Sequence, residues 1–219
     1  MPKIKICGIT READAQFAAS LGVDALGFVL AESSRRVDPR VVREITLSLP
    51  PFVSTVGVFV DADMDSVSQI AAFCRLAWIQ LHGNETPDYC KALDIRLLKA
   101  IRVKDRQSVE LMAAYKGCVN GFVLDTYVKG QQGGTGKAFD WTLAREAGKY
   151  GPVILSGGLT PENVREAIQA VRPHGVDVSS GVESGPGIKD HDKMRRFVEQ
   201  VMKSGSDCVS KPKQARDIT

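Results

Sequence analysis

Eight short β-rich segments recur along the chain, and each is followed by a turn and then by a stretch with helical periodicity. The segments span residues 3–7, 25–30, 54–60, 77–82, 96–101, 121–125, 152–156 and 175–179. Apolar runs such as 25–30 are typical of parallel strands that are covered on both faces. Eight such units in one short chain predict a closed (β/α)8 barrel of the TIM type rather than an open sheet.

The chain length fits one such barrel. Its 219 residues, 43% of them hydrophobic, are enough for one large core. Capping residues predict that Thr10, Asp38 and Asp63 begin helices. The predicted helices span residues 11–21, 39–48, 64–76, 141–148, 161–171 and 190–203. We therefore expect a barrel domain at 1–205 and a disordered tail at 206–219, where apolar side chains are isolated.

Charge and cysteine usage narrow the function class. The 29 basic and 26 acidic residues give a net charge of +3 without a basic run, which argues against nucleic acid and favours a small anionic ligand. No uncharged apolar run reaches the roughly 18 residues of a membrane span. Five cysteines without CxxC spacing indicate reduced thiols in the cytoplasm, and the histidines lack metal-like spacing, so we expect no metal site.

The period of a strand sorts its side chains by face. In four strands one face carries polar side chains: the residues that share it are Lys5 and Cys7, Gln80 and His82, Val123 and Asp125, and Asp177 and Ser179. The alternate positions are apolar and can pack on the helices. In a barrel of this type the active site lies at the carboxyl ends of the strands. Cys7, His82, Asp125 and Ser179 are therefore predicted to lie beside it.

The turns after the seventh and eighth strands are rich in small residues. Gly157 and Gly158 follow one strand, and Ser180 and Gly181 follow the other. Glycines let backbone N–H groups approach a ligand closely, and the loops after strands seven and eight often bind phosphate in this fold. The alternative is that each turn only connects a strand to a helix. The occurrence of both turns at these two units favours a phosphate site.

Two strand-end residues could act as a base and an acid. A buried cysteine is usually a small hydrophobe, but Cys7 ends the first strand, and as a base it would need a lowered pKa. Asp125 could instead be structural, capping Thr126 or pairing with a lysine. If it faces the cavity opposite Cys7, the two could act on opposite sides of a bound sugar.

The remaining polar candidates are more ambiguous. The segment 33–36 reads as a solvated basic loop, an interpretation we favour for Arg35, although an arginine here could bind a substrate carboxylate. Gln80 and His82 are substrate-binding candidates that could equally serve a hydrogen-bond network in the core. For Lys5 and Asp177 we favour a buried structural pair.

Taken in order, these motifs resemble the phosphoribosylanthranilate isomerase family of tryptophan biosynthesis over residues 3 to about 200. The resemblance rests on segments 5–10 (KICGIT), 27–29, 34–36, 56–60, 80–83 (QLHG), 124–126, 133–137, 139–141, 155–159 (LSGGL) and 177–183 (DVSSGVE). Each segment alone is a weak signal. Their order and their positions at successive strand ends make the combination specific.

The resemblance implies a cofactor-free Amadori rearrangement of N-(5-phosphoribosyl)anthranilate to 1-(2-carboxyphenylamino)-1-deoxyribulose 5-phosphate. It implies that Cys7 is the general base, that Asp125 is the general acid and that Arg36 binds the anthranilate carboxylate. The phosphate loops of the family match Gly157 and Gly158, and Ser180 and Gly181. The expected partner is a phosphorylated small molecule, and the protein is expected to be a monomer or a homodimer.

Two alternatives belong to other classes. Another phosphosugar barrel enzyme, such as an indole-glycerol-phosphate synthase or a sugar-phosphate epimerase, would share the phosphate loops. A catalytically silent sensor of a phosphorylated metabolite would keep the loops and lose the acid or the base. The presence of both Cys7 and Asp125 argues against each alternative.

Overall fold

The computed structural model describes residues 1–125 and 141–207, in which eight parallel strands close into a barrel. The strands are β1 (Lys3–Cys7), β2 (Ala25–Val29), β3 (Ser54–Phe59), β4 (Trp78–Leu81), β5 (Leu97–Arg102), β6 (Gly121–Asp125), β7 (Val153–Ser156) and β8 (Gly175–Val178). Each strand pairs with the next, and β8 returns to β1 with Ile6 opposite Val178. The predicted (β/α)8 barrel is confirmed, with every strand end within one residue of its predicted position.

Helices follow the strands around the outside of the barrel. They are α1 (Glu12–Ser20), α2 (Pro39–Ser48), α3 (Met64–Cys74), α4 (Pro87–Ala92), α5 (Arg106–Glu110), α6 (Trp141–Ala147), α7 (Val164–Val171) and α8 (His191–Asp207). Short 3-10 helices span Leu111–Tyr115 and Ser180–Val182. After β8 the chain forms a small antiparallel pair, β9 (Glu183–Gly185) and β10 (Ile188–Lys189).

Two of the predicted capping residues begin helices as expected. The carboxylate of Asp38 accepts a hydrogen bond from the backbone N–H of Arg40, and that of Asp63 accepts one from Ser66. The prediction for Thr10 is wrong. Arg11 occupies the cap position of α1, and the Thr10 hydroxyl donates instead to the carbonyl of Gly187, 2.5 Å away.

The last helix is longer than predicted. It ends at Asp207 rather than at 203, so it includes the first two residues of the segment expected to be a tail. Residues 208–219 lie outside the part of the chain that the structure describes.

The two faces of the strands are used as the alternation predicted. Small and aliphatic side chains fill the barrel interior around Val56, Leu98, Ala100 and Val123. The alternate positions, among them Ile6, Ile79, Leu124 and Val178, belong to the large buried cluster that includes the helices. Burying this apolar surface on both sides of the sheet stabilises the barrel. The polar side chains that point into the barrel are not needed for this packing.

Candidate active site at the carboxyl ends of the strands

Cys7 lies at the end of β1 with 8% of its surface exposed. Its partner in the register of β2 is Gly27. A Cβ atom added to Gly27 would come within 2.7 Å of the Cys7 sulfur, closer than two such atoms can approach. The glycine therefore provides the space that the thiol occupies at the mouth of the barrel.

A buried polar cluster lies one layer below Cys7. The ammonium of Lys5 donates to Gln80 Oε1 at 2.9 Å and pairs with Asp177 Oδ1 at 3.0 Å, and the Ser156 hydroxyl lies 3.2 Å from Asp177 Oδ2. The Lys5 and Asp177 side chains are 4% and 5% exposed. The structure thus contains the buried pair that we favoured for these two residues.

Burial has the largest effect on the pKa of the Cys7 thiol. Removal from water raises the pKa of Cys7 above its ordinary value, and the negative charge of Asp177 adds to this effect. The positive charges of Lys5 and Lys189 lower the pKa but do not reverse the shift. Without substrate, Cys7 therefore lacks the lowered pKa that a base would need, because desolvation outweighs the nearby positive charges.

Lys5 keeps its charge despite its burial. Desolvation lowers the pKa of Lys5, but the carboxylate of Asp177 and the neighbouring Cys7 outweigh it and leave the pKa above its ordinary value. A permanent positive charge thus lies on the same face of β1 as the thiol, two residues away.

Asp125 ends β6, three strands from β1 around the closed barrel, so it reaches the mouth from a different side than Cys7. Its Oδ2 lies 3.4 Å from Nε2 of His82. The other ring nitrogen of His82 lies 3.2 Å from the amide of Gln80, which in turn accepts from Lys5. A chain of polar contacts therefore links the side of the mouth that holds the thiol to the side that holds the carboxyl group.

The two arginines after β2 have different environments. Arg35 is partly buried and makes a bidentate pair with Glu183, so our interpretation of Arg35 as a solvated loop residue is wrong. Arg36 has a side chain that is 58% exposed and pairs with Glu32 on its own loop. Of the two, Arg36 is the one whose guanidinium remains open to solvent at the barrel mouth.

The two predicted phosphate loops are in direct contact. Gly157 and Gly158 have φ angles of +83° and +68°, a conformation that favours glycine. A Cβ atom on Gly181 would overlap the carbonyl oxygen of Leu159 in the neighbouring loop. The turns after β7 and β8 therefore lie directly against each other at the barrel mouth.

Sequence reasoning missed two buried charged pairs near this site. Lys189 in β10 pairs with Glu183 at 2.8 Å, and Lys99 in β5 pairs with Glu85 at 3.0 Å. Lys99 also donates to the carbonyl of Gly83, which fixes the turn that follows His82. Neither pair follows a strand-end pattern, so the alternation of side chains gave no signal for them.

Several negative observations apply to residues 1–125 and 141–207. In that part of the chain no group of three or more His, Cys, Asp or Glu side chains is arranged to hold a metal ion. Across the same residues, no helix is long and apolar enough to cross a membrane. Thr126 and the glycine-rich segment 133–137, both part of the resemblance, lie outside the described residues.

A cavity of about 370 Å³ lies at the other end of the barrel, lined by Arg145, Pro152, Arg172 and His174 among others. These residues precede β7 and β8. The cavity is thus at the amino-terminal face, away from Cys7 and Asp125, and we assign it no part in the chemistry.

Comparison with known proteins places this geometry in a family. The sequence profile described as N-(5'-phosphoribosyl)anthranilate (PRA) isomerase matches residues 4–200. The N-(5'-phosphoribosyl)anthranilate isomerase of Moorella thermoacetica is 52% identical over 205 residues, which cover 93% of this chain and 91% of that protein.

Two solved structures are also similar. A phosphoribosylanthranilate isomerase in complex with reduced 1-(o-carboxyphenylamino)-1-deoxyribulose 5-phosphate has a TM-score of 0.83 and 40% identity, covering 93% of this chain and all of that one. Monomers generated from the dimeric enzyme of Thermotoga maritima give a TM-score of 0.82 and 39% identity with the same coverage.

Proposed function

This chain belongs to the N-(5'-phosphoribosyl)anthranilate isomerase family, and from that premise we propose how its own residues carry out the reaction. The enzyme converts N-(5-phosphoribosyl)anthranilate to 1-(2-carboxyphenylamino)-1-deoxyribulose 5-phosphate in tryptophan biosynthesis. The observation that carries the proposal is the placement of Cys7 and Asp125 on different sides of one barrel mouth, with a polar chain between them.

Ring opening is the first step. Asp125 donates its proton to the furanose ring oxygen, the bond between that oxygen and C1 breaks, and the nitrogen lone pair forms a C1=N iminium. The side chain of His82, 3.4 Å away, holds the carboxyl group in place. The nitrogen of the substrate accepts the electrons of the next step, so the reaction needs no cofactor.

Proton abstraction is the second step. The Cys7 thiolate removes the proton from C2, and the electron pair of that C–H bond forms a C1=C2 double bond and neutralises the iminium. The resulting enolamine tautomerises to the ketone by losing the hydroxyl proton and gaining one at C1. The positive charges of Lys5 and Lys189 stabilise the thiolate, although burial keeps the pKa of Cys7 above its ordinary value in the site without substrate.

Three regions bind the substrate in this proposal. The exposed guanidinium of Arg36 pairs with the anthranilate carboxylate in a charge-assisted contact. The loops that carry Gly157, Gly158, Ser180 and Gly181 receive the phosphate through backbone N–H groups. Gln80 and His82 line the centre of the site, where they also belong to the polar chain between base and acid.

A fluorescence assay on the purified protein tests the proposed activity. The anthranilate chromophore of the substrate changes its emission when the sugar rearranges, so turnover appears as loss of substrate fluorescence. We expect saturable consumption without added metal or cofactor. Absence of turnover in the folded protein would overturn the proposal.

A second copy of the chain is the protein partner that we propose. Phe52, between α2 and β3, is fully exposed and has a φ of +73°, a strained conformation for an aromatic residue. The loop lies at the amino-terminal face, so pairing there would leave the catalytic mouths open. The dimeric form of the similar Thermotoga maritima enzyme supports this choice.

The free thiols of Cys7, Cys74, Cys90 and Cys118 support a cytoplasmic location.

A further inference from the structure

Arg35 and Glu183 form a bidentate pair at the barrel mouth, between the segments that follow β2 and β8, the two strands that flank β1. Arg35 Nε lies 2.8 Å from Oε1 and Nη2 lies 2.7 Å from Oε2 of Glu183. The two residues are 148 positions apart in the chain. Because a guanidinium and a carboxylate meet in one plane, such a pair fixes both the distance and the orientation between the loops that carry them.

Glu183 is a fixed anchor for Arg35. The fully buried ammonium of Lys189 pairs with Glu183 Oε1 at 2.8 Å and donates to the carbonyl of Ser179 at 3.2 Å. The backbone N–H of Gly187 donates to the same carboxylate oxygen at 3.3 Å. Burial raises the pKa of Glu183, but hydrogen bonds from Arg35 and Lys189 outweigh it and hold the pKa below its ordinary value. The carboxylate therefore stays charged and stationary at neutral pH.

Each partner is adjacent to one end of the proposed substrate site. Arg36 follows Arg35 directly, and its backbone is held by a hydrogen bond to the carbonyl of Ser33 and by a bridge to Val29. Glu183 directly follows the 3-10 helix Ser180–Val182, which carries the second phosphate loop. The pair thus joins the loop that binds carboxylate to the loop that binds phosphate.

We propose that the Arg35–Glu183 pair is a positioning device that sets the separation between Arg36 and the phosphate loops. The site then selects ligands whose carboxylate and phosphate match that separation. Binding one end places the other at a high effective concentration near its partner, and this advantage depends on a fixed separation. The inference rests on the roles proposed above for Arg36 and for the phosphate loops.

Arg35→Met is the informative variant. It leaves Glu183 paired with Lys189, so no buried carboxylate loses its last partner. Arg35→Lys keeps the charge but not the planar fork, and we expect it to restore only part of the effect. Arg40→Met is the matched control, because Arg40 is an exposed arginine in the first turn of α2.

The experiment measures the Kd of reduced 1-(o-carboxyphenylamino)-1-deoxyribulose 5-phosphate for the parent, Arg35→Met, Arg36→Met, the double variant and Arg40→Met. The inhibition constant of ribose 5-phosphate, which carries the phosphate alone, is measured for the same proteins. We expect Arg35→Met to weaken the two-ended ligand at least tenfold, to change ribose 5-phosphate less than twofold, and to reduce the penalty of Arg36→Met.

Two sets of results distinguish a failure of the positioning role from a failure of the proposed binding roles. If Arg36→Met weakens the two-ended ligand but Arg35→Met does not, or if both ligands weaken equally in Arg35→Met, the positioning role is wrong. If Arg36→Met has no effect in the parent, or if the parent does not bind ribose 5-phosphate, the proposed binding roles are wrong and the positioning inference is overturned with them.

Discussion

Gly27 lies beside Cys7 in the register of β1 and β2, and a Cβ atom at this glycine would come within 2.7 Å of the Cys7 sulfur. Gly27→Ala should therefore displace the thiol from its position over the substrate. A misplacement of about 1 Å can cost roughly 100-fold in rate, so we expect kcat to fall at least tenfold. Crowding the barrel should also cost about 1 to 3 kcal/mol of stability.

Steady-state kinetics and thermal unfolding of Gly27→Ala measure both effects. Gly185→Ala is the control, because a Cβ at Gly185 meets nothing within 4 Å and its φ is not positive. An unchanged kcat in a folded Gly27→Ala protein would show that the thiol does not need this position.

The protonation of Cys7 gives a second prediction. Thiolate absorbance of the parent, after subtraction of Cys7→Ser, should titrate above the ordinary cysteine value of 9.0 in the absence of substrate. Lys5 lowers this pKa and Asp177 raises it. Lys5→Met should therefore move the midpoint upward, and Asp177→Asn should move it downward.

Because the two substitutions should shift the pKa of Cys7 in opposite directions, the titration distinguishes a direct effect of each charge on the thiol from a general effect of destabilisation. Removing either partner of the buried pair also destabilises the fold, by an amount on the order of 3 to 5 kcal/mol, so both variants are titrated well below their melting temperatures. Midpoints that move in the same direction would show that the two charges do not act directly on the thiol.

The exposed Phe52 predicts the assembly state. Sedimentation of the parent should give the mass of a dimer, and Phe52→Glu should give a monomer because it places charges in the contact between two copies. The kcat should change less than about twofold, since the loop is at the face opposite the active site. A monomeric parent, or a Phe52→Glu protein that remains a dimer, would contradict the proposed contact.

Truncation tests the end of the barrel domain. The family match ends at residue 200, and α8 ends at Asp207, so we propose that 208–219 contribute little to the fold. A chain that ends at Asp207 should keep its kcat/KM and melt within a few degrees of the parent. Ending the chain before α8 should abolish folding, because Met194, Phe197 and Val201 of this helix are buried in the core. A shortened chain that melts much lower would show that the last residues pack on the barrel.

The strands and most helices could be predicted from the sequence because their signals are local. The alternation of polar and apolar side chains identified the strand ends that carry Cys7, His82 and Asp125. Asp38 and Asp63 cap their helices through backbone groups only two or three residues away. Such features depend only on residues that are close in the sequence, so they can be predicted without knowing the fold.

The errors concern features that depend on distant residues. Arg35 and Arg36 are chemically identical and adjacent, and only the position of Glu183, 148 residues further along the chain, distinguishes them. The direction of the Cys7 pKa shift depends on how completely packing excludes water from the thiol. Thr10 does not cap α1, and its hydroxyl donates to the carbonyl of Gly187, a residue 177 positions away in the chain.

The central claim is that Cys7 acts as the base and Asp125 as the acid of the isomerisation. The most direct measurement compares the kcat of Cys7→Ser and of Asp125→Asn with that of the parent, together with the Kd of the reduced product. Loss of one general acid or base typically costs about 100- to 10,000-fold in rate. We predict a loss of at least 100-fold in kcat for each variant with a Kd within about threefold of the parent. A kcat within about threefold of the parent in either variant would contradict the role assigned to that residue.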